Sequence, residues 1–167
     1  MESKPGAGST FHFTARFLKG ASVAAAQPEP VVEHNNNGLR RLHVLLAEDN
    51  PVNSRLAVRL MEKLGHSVLA VVNGRAALEA LDRDSFDVVL MDIQMPEMDG
   101  YRATAALREK EKETGMHVPV VALTAHAMST DREKCFEAGM DGYLSKPIDL
   151  KELRDTLNSI APLIIAP

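Results

Sequence analysis

Acidic, hydroxyl and amino side chains follow short apolar runs at several places in the sequence. These residues are Glu48, Asp49, Asp92, Thr124 and Lys146. Three carboxylates within a few ångströms of one another repel strongly, so either one is protonated or a cation lies among them. Hard oxygen ligands without Cys or His favour Mg²⁺ over zinc. Carboxylates, a divalent ion, a lysine and a hydroxyl group suit phosphoryl transfer, in which one group attacks and the others hold the phosphoryl oxygens.

These side chains can meet only on a scaffold that gathers the ends of several strands. From residue 42 onward, short apolar strands alternate with amphipathic helices in five pairs. We predict strands over residues 42–47, 67–72, 87–91, 118–123 and 142–144. After a first helix in which Leu56, Leu60 and Leu64 recur every fourth residue, we predict helices over residues 74–81, 100–113, 129–138 and 150–160. This alternation indicates a parallel sheet covered on both faces, with its first and third strands adjacent and ligands bound beyond the carboxyl ends of the strands.

The composition is that of a folded globular protein, since 45% of the 167 residues are hydrophobic and 25% are charged. Of the 19 basic and 23 acidic residues, five and three lie within residues 1–41, so the remainder is acidic. An acidic domain argues against nucleic acid as its main partner. The single Cys135 excludes an intrachain disulfide and fits a reducing compartment. No apolar run in the sequence is long enough to span a bilayer.

The length allows one complete domain and a surplus, and the surplus lies before residue 42. Residues 20–38 hold small residues, two prolines and a run of asparagines without periodicity, which is typical of a flexible linker. Residues 10–18 alternate apolar and polar side chains, which predicts one β-strand whose sheet partners lie elsewhere. We therefore divide the chain into residues 1–19, a linker over 20–41, a domain over 42–160 and a tail over 161–167.

Four motifs of the larger part resemble the receiver domain of two-component response regulators. They are Glu48-Asp49-Asn50, residues 91–100 (MDIQMPEMDG), Leu123-Thr124-Ala125 and residues 142–147 (GYLSKP). Their order and spacing are similar to those of the family over about residues 42–160. The resemblance implies a flavodoxin-like (βα)5 fold of the α/β class, with a doubly wound five-stranded parallel sheet of strand order 2-1-3-4-5.

The resemblance also implies a phosphoacceptor. Asp92 would take a phosphoryl group from a phosphohistidine, and Thr124 and Lys146 would hold its oxygens with the Ala125 backbone N–H. In the family the bond that corresponds to Lys146-Pro147 is cis, which a tertiary amide makes accessible.

The metal site that the resemblance implies contains Mg²⁺. Asp49, Asp92 and the backbone carbonyl of Gln94 would bind it directly, and Glu48 would act through water. Many family members have Asp where this chain has Glu48, although Glu is common in members joined to kinases. We interpret Asn53, in the first helix, as a surface residue; the alternative is that it helps to hold the acidic loop.

Three positions have regulatory roles in the family. Tyr143 occupies the place of the switch aromatic, which turns inward as Thr124 moves toward the phosphoryl group, and this change would reshape the surface of the fourth helix, fifth strand and fifth helix. Gln94 and His126 occupy the positions that tune the lifetime of the phosphoryl group. For His126, the alternative is an exposed loop residue without a role.

Residues 6–14 (GAGSTFHFT) resemble the last glycine box and final strand of the ATP-binding domain of sensor histidine kinases. Followed by a linker and a receiver, this segment implies a piece of a hybrid histidine kinase that begins inside the ATP-binding domain. The parent chain would be an ATP-dependent protein-histidine kinase. The piece itself lacks the rest of the nucleotide pocket and would catalyse only its own phosphorylation and dephosphorylation at Asp92.

The partners that the resemblance implies are phosphohistidine donors, either the kinase core of the same protein or a histidine phosphotransfer domain. We expect no nucleic acid and no membrane contact for this piece, a cytoplasmic location, and a homodimer as a further assembly.

Two other classes of function are alternatives on the same fold. A haloacid dehalogenase-type hydrolase needs a second Asp two residues after the nucleophile, where this chain has Gln94. A flavodoxin-like cofactor binder needs a Ser/Thr/Gly-rich phosphate loop after the first strand, where Glu48 and Asp49 would repel phosphate.

Overall fold

A computed structural model of the chain describes residues 2–4, 8–10, 14, 41–125 and 129–165. The chain divides into two units, residues 1–35 and 36–167. In the first unit, β1 (Glu2–Lys4) pairs antiparallel with β2 (Gly8–Thr10). The strand predicted over residues 10–18 and the linker predicted over residues 20–41 lie almost entirely outside the described residues, so both stay predictions.

The second unit is a parallel sheet with helices between successive strands. Its strands are β3 (His43–Ala47), β4 (Ser67–Val71), β5 (Val88–Asp92), β6 (Val120–Thr124) and β7 (Gly142–Ser145). Its helices are α1 (Pro51–Lys63), α2 (Gly74–Leu81), α3 (Gly100–Thr114), α4 (Ser129–Glu137) and α5 (Leu150–Ile165). The strands lie in the order β4-β3-β5-β6-β7, all parallel, which confirms the predicted order 2-1-3-4-5.

The three central strands are buried because helices cover both faces of the sheet. Every residue of β5 and β6 is buried, and successive residues point to opposite faces. One face packs against α1 and α5 through Met61, Leu153 and Leu157, and the other packs against α2, α3 and α4. Cys135 of α4 is buried in the second of these cores.

Polar caps begin three of the helices close behind the strands. The side chain of Asn50 accepts hydrogen bonds from two backbone N–H groups at the start of α1, where Pro51 occupies the first turn. The side chains of Asn73 and Asp99 cap α2 and α3, each accepting a hydrogen bond from one backbone N–H group of the first turn. These caps fix where each helix starts, and therefore how the loop between strand and helix is held.

The structure shows which residues of the first helix face the core, and it differs from our prediction for the end of the last helix. Leu56 is 46% exposed, whereas Ala57 and Met61 are buried, because residues spaced by four drift around a helix of 3.6 residues per turn. The last helix ends at Ile165 rather than at residue 160, since Pro162 removes one backbone hydrogen bond without ending the helix. Within the described residues, no helix combines the length and the apolar character needed to cross a membrane.

Candidate active site

The polar residues singled out from the sequence meet at the carboxyl ends of the central strands. Asp92 and Thr124 are the last residues of β5 and β6, Glu48 directly follows β3, and Lys146 directly follows β7. A cleft of about 380 Å³ opens between them. They converge because β3, β5, β6 and β7 are parallel and in register, so their carboxyl ends share one edge of the sheet.

Asp92 is the central side chain of the cleft and is only 5% exposed. Its Oδ1 atom accepts a hydrogen bond from the Gln94 backbone N–H at 3.2 Å, and its Oδ2 atom lies 2.6 Å from the Lys146 Nζ atom. Burial raises the pKa of the Asp92 carboxyl and the charge of Glu48 adds to this rise, although the Lys146 ammonium group acts in the opposite direction. The environment therefore disfavours the charge that a nucleophilic carboxylate needs, unless further positive charge enters the cleft.

Glu48 is buried and is held through both of its carboxylate oxygens. Oε1 accepts hydrogen bonds from the Asn50 backbone N–H at 3.3 Å and from Asn53 Nδ2 at 3.0 Å. Oε2 lies 2.6 Å from Lys146 Nζ and accepts no well-directed hydrogen bond within the described part of the chain. Our interpretation of Asn53 as a surface residue is therefore wrong: the helix start turns its side chain toward the acidic loop.

Three carboxylates form a compact acidic group. Oxygen atoms of Glu48, Asp49 and Asp92 all lie within 4.8 Å of one another, and Asp49 is exposed to solvent while the other two are buried. All the donors are hard oxygen atoms, and one buried carboxylate oxygen has no well-directed hydrogen bond. This donor set fits Mg²⁺.

Lys146 balances part of the negative charge. Its backbone N–H donates a hydrogen bond to the Thr124 carbonyl oxygen at 2.7 Å, and the bond to Pro147 is cis. Burial by itself lowers the pKa of the Lys146 ammonium group, but its close contacts with the charged carboxylates of Asp92 and Glu48 raise it overall. Lys146 thus faces two buried carboxylates, and exposed Asp49 adds a third negative group beside them.

The backbone behind Asp92 is tightly packed because Gly100 lies against it. A Cβ atom at position 100 would lie 2.3 Å from the Asp92 carbonyl oxygen, and the Gly100 backbone N–H donates to the Ile93 carbonyl at 3.0 Å. Only glycine allows α3 to begin this close to the end of β5.

The structure brings together most of the other residues proposed from the sequence. Gln94 and Ala125 are exposed and line the cleft. Tyr143 lies on β7, half-buried against the core that faces α3 and α4, and is not one of the cleft-lining residues. His126 lies outside the described residues, so its role stays a prediction.

Two residues of the cleft, Tyr101 and Lys134, lie outside the motifs quoted from the sequence. Tyr101 lies in the first turn of α3 and Lys134 lies on α4, and both line the cleft. An aromatic residue in the first turn of the helix that follows β5 is a signal that would have pointed to Tyr101. Lys134 carries no such signal, because only the packing of α4 beside β7 brings it to the cleft.

The fold and the cleft together define a class of protein, the phosphoacceptor signalling domain. Its sheet is doubly wound and parallel, three carboxylates lie where the strand order reverses, and a threonine and a lysine lie at the neighbouring strand ends. The response regulator receiver domain family matches residues 44–158. The chain belongs to this family, and this part of it is a receiver domain of a phosphorelay.

Relatives and solved structures give the same assignment. Hybrid signal transduction histidine kinase K of Dictyostelium discoideum is 36% identical over 155 residues, which cover 90% of this chain but only 13% of the relative. The receiver domain of sensor histidine kinase PA1611 from Pseudomonas aeruginosa PAO1, solved with a magnesium ion coordinated in its active site cleft, is 40% identical with a TM-score of 0.65, covering 72% of this chain and 97% of that one.

A second solved structure contains a phosphorelay complex. It is the co-crystal structure of the Saccharomyces cerevisiae histidine phosphotransfer protein Ypd1 and the receiver domain of its downstream response regulator Ssk1. The matched chain is 28% identical with a TM-score of 0.66, and the match covers 71% of this chain and 87% of that one.

Proposed function

We propose that Asp92 takes a phosphoryl group from a phosphohistidine and that Mg²⁺ is the resident cofactor of the cleft. The observation that carries this proposal is the position of Asp92, a buried carboxylate at a strand end beside one lysine and two further carboxylates. Such a group is available as a nucleophile once its charge is balanced.

In the transfer step, a carboxylate oxygen of Asp92 attacks phosphorus. A new P–O bond forms as the P–N bond breaks, and the electron pair of the P–N bond stays on the imidazole nitrogen of the donor. Lys146, which contacts Asp92 before transfer, then has the phosphoryl oxygens within reach. The Thr124 hydroxyl and the Ala125 backbone N–H are the hydrogen-bond donors proposed for the same oxygens, since both line the cleft.

The metal ligands we propose are Asp49, Asp92 and the backbone carbonyl of Gln94, with Glu48 acting through water. When bound, Mg²⁺ would neutralise the carboxylates and offset the charge that the phosphoryl oxygens carry in the transition state. Support comes from the all-oxygen donor set and from the magnesium ion in the PA1611 receiver domain.

The donor we propose is a phosphohistidine of a histidine phosphotransfer protein or of a kinase core in the same polypeptide. The Ypd1 complex supports the first source and the match to a hybrid kinase supports the second.

Phosphoryl transfer would move Thr124 and turn Tyr143 inward, changing the surface formed by α4, β7 and α5. Gln94 and His126 would set the lifetime of the phosphoryl group. Sedimentation with and without phosphoryl transfer tests whether this change also produces a homodimer.

For the amino-terminal part we propose a remnant of a kinase ATP-binding domain. The glycine-containing segment 6–14 and the long match to a hybrid kinase support this proposal. A parent kinase that draws its phosphoryl groups from ATP implies a cytoplasmic location for the chain. An upstream coding sequence without a phosphoacceptor histidine would contradict the hybrid-kinase origin.

The phosphoacceptor is tested by incubating the full chain with Mg²⁺ and acetyl phosphate and measuring the intact mass. We expect one phosphoryl adduct on the wild type, none on Asp92→Asn, and an unchanged adduct on Asp155→Asn, a matched change at an exposed aspartate of α5. No adduct under conditions that label a known receiver would overturn the assignment. Steady release of phosphate without an adduct would instead favour an aspartyl-nucleophile hydrolase.

A further inference from the structure

The first turn of α1 supplies a side-chain contact to the acidic group. Asn53 Nδ2 donates to Glu48 Oε1 at 3.0 Å, the shorter of the two hydrogen bonds that this oxygen accepts. Asn53 is itself fixed, because its backbone N–H and that of Val52 donate to the capping side chain of Asn50. The carboxamide therefore reaches Glu48 from a helix start that is already in place.

A glutamate at the end of β3 needs such a contact more than an aspartate does. Its carboxylate is one methylene farther from the backbone and turns about one more torsion, so more conformations must be excluded to hold it in one place. Asn53 fixes Oε1, while Oε2 stays 2.6 Å from Lys146. Without the carboxamide, the side-chain partner left to Glu48 among the described residues is a lysine that Asp92 also contacts.

We propose that Asn53 is a positioning residue matched to glutamate at position 48, and that the Glu48–Asn53 pair sets the affinity of the cleft for Mg²⁺. This inference rests on the proposed function, because it assigns a ligand-ordering role within the same cleft. Loss of the amide lets Glu48 turn fully toward Lys146, which pulls it away from the metal-binding side. An aspartate at position 48 is too short to reach Asn53, so the effect of Asn53 disappears with it.

A double-mutant cycle on the full chain tests the pair, with Mg²⁺ alone as the ligand and isothermal titration calorimetry as the readout. We expect Asn53→Ala to weaken Mg²⁺ binding about tenfold, as is typical when a group that orders a metal ligand is removed. In the Glu48→Asp background, the same change should alter the affinity by less than about twofold. An equal loss in both backgrounds, or an unchanged affinity for Asn53→Ala, would overturn the inference.

Two further variants separate positioning from general damage to α1. Asn158→Ala removes an exposed asparagine from α5 and should leave Mg²⁺ binding unchanged. Asn53→Leu keeps the branched shape and removes the donor, so it should reproduce the loss of affinity even if the alanine variant unfolds. Thermal unfolding without metal verifies that each variant is folded before titration.

The metal dependence of phosphorylation gives a second readout. Asn53→Ala should raise the Mg²⁺ concentration at half-maximal rate about tenfold and leave the rate at saturating Mg²⁺ unchanged. A fall in the saturating rate with no shift in Mg²⁺ dependence would contradict a positioning role. If the mutant cycle shows the expected coupling in Mg²⁺ binding but the wild type takes no phosphoryl group, the proposed function is wrong while the role of the Glu48–Asn53 pair is supported. If the wild type is phosphorylated and the cycle shows no coupling, only the role of the pair is wrong.

Discussion

At each end of the parallel sheet, within the described residues, one basic side chain contacts two carboxylates, and at the carboxyl end this pair lines a cleft beside a third carboxylate. At the amino end, Arg108 contacts Glu111 Oε2 and Asp141 Oδ2, both at 2.7 Å. The same guanidinium group also donates to the carbonyl oxygens of Gly139 and Val118. All three of its nitrogens are used, and the two acids accept further hydrogen bonds from the backbone at the start of β6.

The carboxyl end places a lysine in the corresponding role. Lys146 lies 2.6 Å from both Glu48 and Asp92, and exposed Asp49 adds a third carboxylate beside them. A lysine is a compact charge on a flexible stem, whereas an arginine presents a rigid fork with five donors. Arg108 therefore holds the loops that precede β6 and β7 through several directed hydrogen bonds, while Lys146 is a cation that can change partners when a ligand enters.

The largest effect that tests this comparison is expected for Arg108→Ala. It leaves two largely buried carboxylates without a cation and should reduce the free energy of unfolding by about 3 kcal/mol, measured in urea. Its affinity for Mg²⁺ should not change. His117→Ala, which removes a half-exposed partner of the same acids, should cost no more than about 0.5 kcal/mol. A decrease in the free energy of unfolding of less than about 1 kcal/mol for Arg108→Ala would contradict a stabilising role for this end of the sheet.

A smaller effect is expected for Gly100→Ala. The added Cβ would lie 2.3 Å from the Asp92 carbonyl oxygen, so the backbone must shift, at a cost of about 2 kcal/mol and with slower phosphoryl uptake. Gly139→Ala is the matched change at the other end: its φ of +88° is unfavourable for alanine, and it should cost about 1 kcal/mol without affecting uptake. Equal rates of phosphoryl uptake by the two variants would contradict this difference between the two ends of the sheet.

The smallest effect is a gain in stability for Asp92→Asn at neutral pH. The pKa of Asp92 is raised in the folded protein above its ordinary value of 3.8, so protonated Asp92 favours the folded state over the unfolded state. This contribution to the free energy of unfolding is lost as the pH rises through the folded pKa. The amide avoids this loss, and its advantage should shrink as the pH falls toward 3.8. Urea midpoints from pH 3 to pH 8 measure it; an advantage independent of pH would show that burial of the charge is not its cause.

Much of the fold followed from periodic patterns along the chain. Strands such as β5 and β6 are continuous apolar runs, and five alternations of strand and helix leave a doubly wound parallel sheet as the consistent arrangement. The placement of Asp92 and Thr124 follows from the same pattern, because parallel strands carry their last residues to one edge. The pattern did not define which residues of α1 face the core, because residues spaced by four drift around the helix, so that Leu56 is exposed while its neighbour Ala57 is buried.

The sequence by itself therefore determined the architecture and the edge of the sheet at which the acidic, hydroxyl and amino groups gather. Only the tertiary structure decided the pairing of these groups: that Asn53 holds Glu48, that Lys146 is shared by two carboxylates, and that Lys134 reaches the cleft. The physical reason is the distance along the chain over which each feature is determined. Periodicity and capping are encoded within a few neighbouring residues, whereas a hydrogen bond or ion pair depends on distances between separate elements, which packing sets to within about an ångström.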